Sequence, residues 1–119
     1  MRRVIVESPF AGKPGWWQWW QRWQRWRNRA YARRCLADCL ARGEAPFASH
    51  LIYSQVLNDG VGNERALGIA AGLAWGEVAE ATVVYADRGI SGGMRQGIVA
   101  AKAAGRVIEY RNLTPARKK

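Results

Sequence analysis

Two rhythms alternate along the chain. Short runs rich in β-branched residues, Val4-Ile5-Val6 and Ala81-Thr82-Val83-Val84-Tyr85, have the length and composition of buried strands. Between them lie longer stretches in which apolar residues recur every three or four positions, as on one face of a helix. Taken in order, residues 3–7 predict a first strand that runs into the turn Ser8-Pro9-Phe10-Ala11-Gly12, marked by its Pro and Gly. Residues 28–42 predict a helix with Gly43 as its C-cap. Residues 45–48 predict a short strand, and Pro46 in it suits a strand start or a sheet edge. Residues 49–55 lead away from that strand to a loop at 58–62. A second helix is expected over 63–80, with Asn63 as N-cap and Leu67, Ile69, Ala70, Leu73, Ala74 and Val78 as its apolar set. The strand at 81–85 is followed by a helix starting near Gly93 and ending at Gly105, and then by a last strand over 106–110. Residues 114–119 read as a frayed basic tail.

The resulting order, β-α-β-α-β-α-β, implies an α/β fold with a small parallel sheet of about four strands, right-handed crossovers and helices on both faces. A chain of 119 residues suffices for one domain with a modest core, and 49% apolar residues fit a globular chain rather than a disordered one. The formal net charge of +10 is concentrated in residues 22–34 and 111–119. That balance suits nucleotides, nucleic acid or an anionic membrane surface, and equally a charged surface with no such partner. Cys35 and Cys39, four apart on one helix face, read as small apolar packing residues of a reducing compartment, and no Cys or His cluster completes a metal site. The N-terminus enters a strand at once, without a signal-peptide pattern, and no apolar run is long enough to span a bilayer. A cytoplasmic protein is the expectation.

Candidate chemistry gathers where strands end. In an open parallel sheet, ligands sit outside the carboxyl ends of the strands. The stretch Asp87-Arg88-Gly89-Ile90-Ser91-Gly92-Gly93-Met94 follows the most apolar strand and opens a helix, so its backbone N–H groups can face an anion or a sugar. A second corner is Ser8-Pro9-Phe10.

Residues 16–27 are unlike the rest and hold six of the seven tryptophans. If residues 16–42 form one helix, at about 100° per residue Trp16, Trp19, Trp20, Trp23 and Trp26 share one stripe. Ala32, Cys35, Leu36 and Cys39 then fall nearly opposite, on the face that packs on the sheet. Another copy of the chain, a membrane interface or nucleic-acid bases are the partners such a stripe fits, self-association first. The structural alternative is a helix broken near Asn28, with the indoles folded back over the domain.

With Ser8-Pro9-Phe10, Asn28 followed by Ala30 and Ala32, residues 43–50 (Gly-Glu-Ala-Pro-Phe-Ala-Ser-His), Glu64-Arg65 and Gly89-Ile90-Ser91-Gly92-Gly93-Met94 in view, the chain resembles a family. It is similar to small bacterial and phage proteins of the DUF4406/DUF7768 type, of uncharacterised function and related to nucleoside 2-deoxyribosyltransferases. The likeness covers nearly all of residues 1–113 as a single domain, apart from the Trp/Arg-rich insertion at 16–27. It implies a Rossmann-like, flavodoxin-like domain, usually oligomeric, with a nucleotide or nucleoside pocket over the strand ends. In the transferases an aspartate after the third strand binds the sugar, and a glutamate on the next helix attacks the anomeric carbon. Asp87 matches the aspartate region. Gln96 and Gly97 stand where many relatives carry the glutamate, and neither side chain is a carboxylate nucleophile. Glu7, at the end of the first strand, is a possible substitute whose position does not match the family nucleophile.

Each candidate carries two readings. Asp87 is a ribose hydroxyl acceptor or a turn residue. Ser91, Gly92 and Gly93 hold a phosphate or make a plain turn into a helix. Met94 packs on a base or in the core. His50, the only histidine, contacts the ligand or is structural. Ser8, Pro9 and Phe10 supply a hydroxyl and a stacking surface, or turn chemistry. Arg65 reaches a phosphate or pairs locally with Glu64. The first reading of function is a binding module for a nucleotide or nucleoside derivative, lacking the glutamate-based transfer and needing no cofactor. The alternatives are an N-glycosidase or deoxyribosyltransferase with a second carboxylate, and an assembly protein built on the tryptophan helix.

Overall fold

The structure is a computed structural model that describes residues 1–10, 18–58 and 61–113, with backbone alone for 18–21. Four strands, β1 (Arg2–Glu7), β2 (Glu44–Phe47), β3 (Ala81–Tyr85) and β4 (Val107–Arg111), form one sheet in the order β2-β1-β3-β4. Every pairing is parallel, with Ile5 opposite Phe47 and Thr82, and Thr82 opposite Ile108. Between them run α1 (Gln18–Ala41), the short α2 (Ser49–Ile52) with a 3₁₀ turn at Tyr53–Gln55, α3 (Gly62–Gly76) and α4 (Gly92–Ala103). This is the expected α/β fold. β2 is an edge strand, which is where Pro46 is tolerated.

Side-chain alternation along the strands divides the core. Val4 and Val6 of β1 and Ala81, Val83 and Tyr85 of β3 face α1, where they pack with Tyr31, Cys35 and Cys39. The other face of β3 carries Val84, which packs with Met94 and Ile98 of α4. All five residues of β3 are buried, as the apolar run required. Under α1 lies a buried ion pair: Arg111 donates to both carboxylate oxygens of Glu44, at 2.7 Å each, and also to Glu109. Arg111 holds the Glu44 carboxyl down to about 2.

Three boundaries differ from the sequence expectation. α3 begins at Gly62 and stops at Gly76, so Asn63 lies inside it and Glu80 outside. Its N-cap position is Val61, which has no capping side chain. Glu64 takes over at this end, accepting a hydrogen bond from the Asn58 backbone N–H at 3.1 Å. Glu80 instead accepts from the Arg3 N–H at 2.7 Å, a long-range contact that no local pattern encodes. Residues 49–55, left without structure by the pattern, are α2 and its 3₁₀ turn, too short for a visible helical period. α1 is one helix without a break at Asn28. Gly43 ends it with φ +78°, the left-handed conformation the C-cap reading needs. Among the described residues no helix is long and apolar enough to cross a membrane.

Candidate functional site

Because all four strands run the same way, the loops after β1, β2 and β3 open at one edge. The structure joins the first two of these loops directly. Ser8 Oγ and His50 Nε2 share a hydrogen bond of 2.9 Å across 42 residues of sequence. The Phe10 ring leans on the His50 ring, with centroids 5.7 Å apart. Phe10, His50 and Arg65 line one pocket of about 120 Å³ between this corner and α3, together with Ser49, Tyr53 and Ser54. Burial pushes the His50 imidazole down to about 4, so it is neutral at pH 7. A neutral ring held at Nε2 by a hydroxyl keeps its other nitrogen in a fixed orientation. Among the described residues, Arg65 is the one charged side chain lining this pocket.

The corner after β3 is built differently. Asp87 Oδ1 accepts from the Tyr31 hydroxyl at 2.6 Å and from the Leu113 N–H at 2.7 Å. The Arg88 guanidinium lies over the Tyr31 ring at 4.6 Å and donates to the Arg27 carbonyl. Asn28 donates to the Phe10 carbonyl at 3.1 Å. Asp87 thus links β3 to α1, and Asn28 links α1 to the Ser8 corner. Ser91 is the N-cap of α4, its Oγ accepting from the Met94 N–H at 3.3 Å. Met94 is 1% exposed and belongs to the core beneath α4, with its sulfur accepting the Ser91 N–H. Gly92 and Gly93 form the exposed first turn of the helix. Ser8, Phe10, His50 and Arg65 are therefore brought together, while Asp87, Ser91, Gly92, Gly93 and Met94 form a separate corner beside β3. Pro9 sits between Ser8 and Phe10 in the loop.

Two features are invisible in the sequence pattern. Tyr31, a helix residue that attracted no reading, is the partner of Asp87. Glu7 turns from the end of β1 under α4, and a Cβ added at Gly97 would overlap its carboxyl group. Burial raises the Glu7 carboxyl to about 7, against the pull of Arg106. Strict alternation puts Glu7 on the same side as Ile5, but nothing in the sequence pairs it with Gly97, one of three glycines in α4.

Of the tryptophan stripe, Trp16 lies outside the described residues, and the side chains of Trp19 and Trp20 are not described. Trp23 and Trp26 are 43% and 67% exposed, on the side of α1 away from Cys35 and Cys39. The Arg27 guanidinium stacks 4.8 Å from the Trp23 ring centroid.

Among curated proteins, none matches this sequence. Among solved structures, a 2-deoxyribosyltransferase from the psychrotolerant bacterium Bacillus psychrosaccharolyticus has the same fold. The two superpose with a TM-score of 0.62 at 15% sequence identity, over 98% of this chain and 77% of that one. That enzyme is described as a biocatalyst for the synthesis of antiviral and antitumoral nucleosides. In sequence, residues 2–111 match DUF7768, a domain of unknown function, and the chain belongs to that family.

Proposed function

We propose that this protein binds a nucleotide or nucleoside derivative at the carboxyl edge of its sheet, without the helix-borne glutamate of the transferases. One observation carries the reading: the Ser8–His50 hydrogen bond, which aligns a neutral imidazole and the Phe10 ring in the pocket that Arg65 borders. An aromatic edge for a base or sugar, fixed polar atoms and one cation are what such a ligand needs. The fold it shares with a 2-deoxyribosyltransferase supports the same ligand class. The test is isothermal titration with a panel of deoxynucleosides and their 5′-phosphates, on wild type, His50→Ala and Arg65→Gln. Binding of a panel member that weakens at least tenfold in both variants supports the reading. Binding unchanged by both, or no binding at millimolar ligand, refutes it.

A second reading, N-glycosidase or deoxyribosyltransferase chemistry, draws on Glu7. Its carboxyl fills the space left by Gly97, one position beyond Gln96, and so supplies from β1 an acidic group that α4 lacks. Release of free base from deoxynucleosides or their 5′-phosphates, followed chromatographically and lost in Glu7→Gln, supports an enzyme. Absence of release by the wild type leaves the binding module.

The tryptophan helix makes self-association the accompanying reading, supported by the exposed indole of Trp26. Native mass spectrometry of the freshly purified protein reads assembly and any retained small molecule together. A multimer supports this reading, and a monomer at all concentrations turns the helix towards a membrane or nucleic acid.

A further inference from the structure

α3 is apolar on every side. From Ala66 to Gly76 it carries no charged side chain, and its one polar side-chain atom is the Trp75 indole N–H: Ala-Leu-Gly-Ile-Ala-Ala-Gly-Leu-Ala-Trp-Gly. A helix of that composition belongs in an interior. Its glycines do face inward: Gly68 approaches Leu57 and Tyr53, and Gly72 approaches Ser49. Its large side chains do not. Leu67, Leu73 and Trp75 are 60%, 49% and 56% exposed, and Val78, just past its end, is 50% exposed. Beside them, where α3 meets the edge strand, opens a second pocket of about 170 Å³, lined by Ile5, Phe47, Trp75 and Val78 with Arg3 at its rim. Phe47 and Trp75 pack on each other, ring centroids 5.7 Å apart, and form one aromatic side of it. A cavity of about 150 Å³ lined by apolar side chains accepts one benzene-sized ring. An arginine beside two aromatic rings adds a cation to face an indole.

The same chain offers such a ring. The core contacts of α1 start at Tyr31, so its N-terminal half, about 20 Å of helix, runs past the packed part of the domain. That half carries exposed Trp26 among exposed Arg22, Arg25 and Arg29, and α1 has no acidic residue before Asp38. The α3 side supplies a carboxylate: exposed Glu77 lies in sequence between the lining residues Trp75 and Val78, and Arg3 is offset by Glu80 at 3.9 Å. Ring to cavity and cation to carboxylate, the two surfaces complement each other, and they belong to different elements of the fold.

We propose that α1 of one copy docks on the α3–β2 groove of the next, with Trp26 seated against the Phe47–Trp75 pair beside Val78, so that copies assemble head to tail. The proposal rests on the self-association reading above and names its geometry. In that arrangement each copy uses α1 towards one neighbour and the groove towards another, so the contact propagates into a ring or a filament, whereas a reciprocal exchange between two copies stops at a symmetric pair.

The experiment uses two variants of the full chain, Trp26→Ala, which removes the knob, and Val78→Arg, which blocks the hole. Both positions are exposed, and circular dichroism verifies that each variant folds. Native mass spectrometry and sedimentation velocity are run on each alone and on an equimolar mixture. The expected result is an assembling wild type, two monomeric variants and a mixture that forms a heterodimer and nothing larger. The dimer arises because the intact Trp26 of one variant still finds the intact groove of the other. If the wild type is monomeric, the self-association reading and this proposal fall together. If the wild type assembles and either variant does so equally, the reading stands and the proposal falls. If both variants are monomeric but their mixture stays monomeric, the contact is not head to tail and the proposal is overturned.

Discussion

Replacing Glu7 by Gln exposes a cancellation hidden in the wild-type stability. The Glu7 carboxyl is raised from 4.5 to about 7 by burial under α4. Its folded-state affinity for the proton exceeds that of the unfolded chain, so its stabilising contribution is complete below pH 4.5 and is lost as pH rises through 7. At about 1.4 kcal/mol per tenfold change in proton affinity, the loss amounts to about 3 kcal/mol. His50 works in the opposite direction. Its imidazole is lowered from 6.5 to about 4, so its contribution is complete above pH 6.5 and is lost as pH falls through 4. Between pH 4.5 and 6.5 the two slopes are of equal size and opposite sign, and the wild-type profile is nearly flat there. Glu7→Gln keeps the shape of the neutral acid and removes its titration. The variant therefore gains stability with rising pH by about 1.4 kcal/mol per pH unit over that window. It matches the wild type at pH 4 and exceeds it by about 3 kcal/mol at pH 8. Urea unfolding followed by tryptophan fluorescence at half-unit steps from pH 4 to 8 measures both curves. Parallel curves for wild type and Glu7→Gln refute the reasoning, because they place the Glu7 carboxyl in water in the folded state.

Three further outcomes follow from described contacts. Gly97→Ala drives a methyl group into the Glu7 carboxyl and costs about 1–3 kcal/mol, although alanine favours a helix over glycine by about 1 kcal/mol; the loss shrinks in the Glu7→Ala background, and equal losses in both backgrounds refute the contact. Glu44→Gln takes the two-oxygen carboxylate from buried Arg111, leaving it Glu109, and costs about 1–3 kcal/mol at pH 7 in denaturant unfolding; since the folded Glu44 carboxyl is lowered from 4.5 to about 2, the wild type loses this advantage as the pH falls from 4.5 through 2, and a loss under 1 kcal/mol at pH 7 counts against the ion pair. The His50 ring, followed by NMR, titrates near pH 4, and in Ser8→Ala it remains neutral at pH 7 while its Nε2 tautomer is released; a midpoint at or above 6.5 in the wild type contradicts the burial of the ring.

What could be read from the chain tracks the range of the interaction involved. The five-residue run 81–85 needed only its own composition to declare a strand buried on both faces, and all five residues are buried. Gly43 and Gly105 declared their turns through the backbone freedom that they alone have, and both take positive φ. The line opposing Trp26 to Cys35 and Cys39 on α1 followed from helical periodicity. By contrast, α3 stops at Gly76 because the chain must turn back to deliver Glu80 to the Arg3 N–H, 77 residues away in sequence. Ser8 and His50 were each marked as strand-end residues, but their hydrogen bond joins the loops after two neighbouring strands and exists only once β1 and β2 are in register. Asp87 was marked without its partner, because Tyr31 is 56 residues away on a helix where an aromatic residue reads as core. The fold was legible because strands and helices announce themselves locally. The site was legible as a set of positions at one edge, and its pairings were not.

The placing of β1 has a consequence for the order in which the protein is made. Of the four strands β1 is translated first, yet it is interior, flanked by β2 and β3. Its pairing with β2 closes a loop of about 40 residues, but Glu7 meets its other neighbour, Val84, only after 77 residues have followed it. Until β3 emerges, β1 has β2 on one side and a bare hydrogen-bonding edge on the other. Such an edge can pair with the wrong chain. A pause in synthesis before β3 has left the ribosome lengthens that exposure. Synonymous changes that slow decoding before β3 has emerged therefore bear on the yield of folded protein without altering a single residue of it.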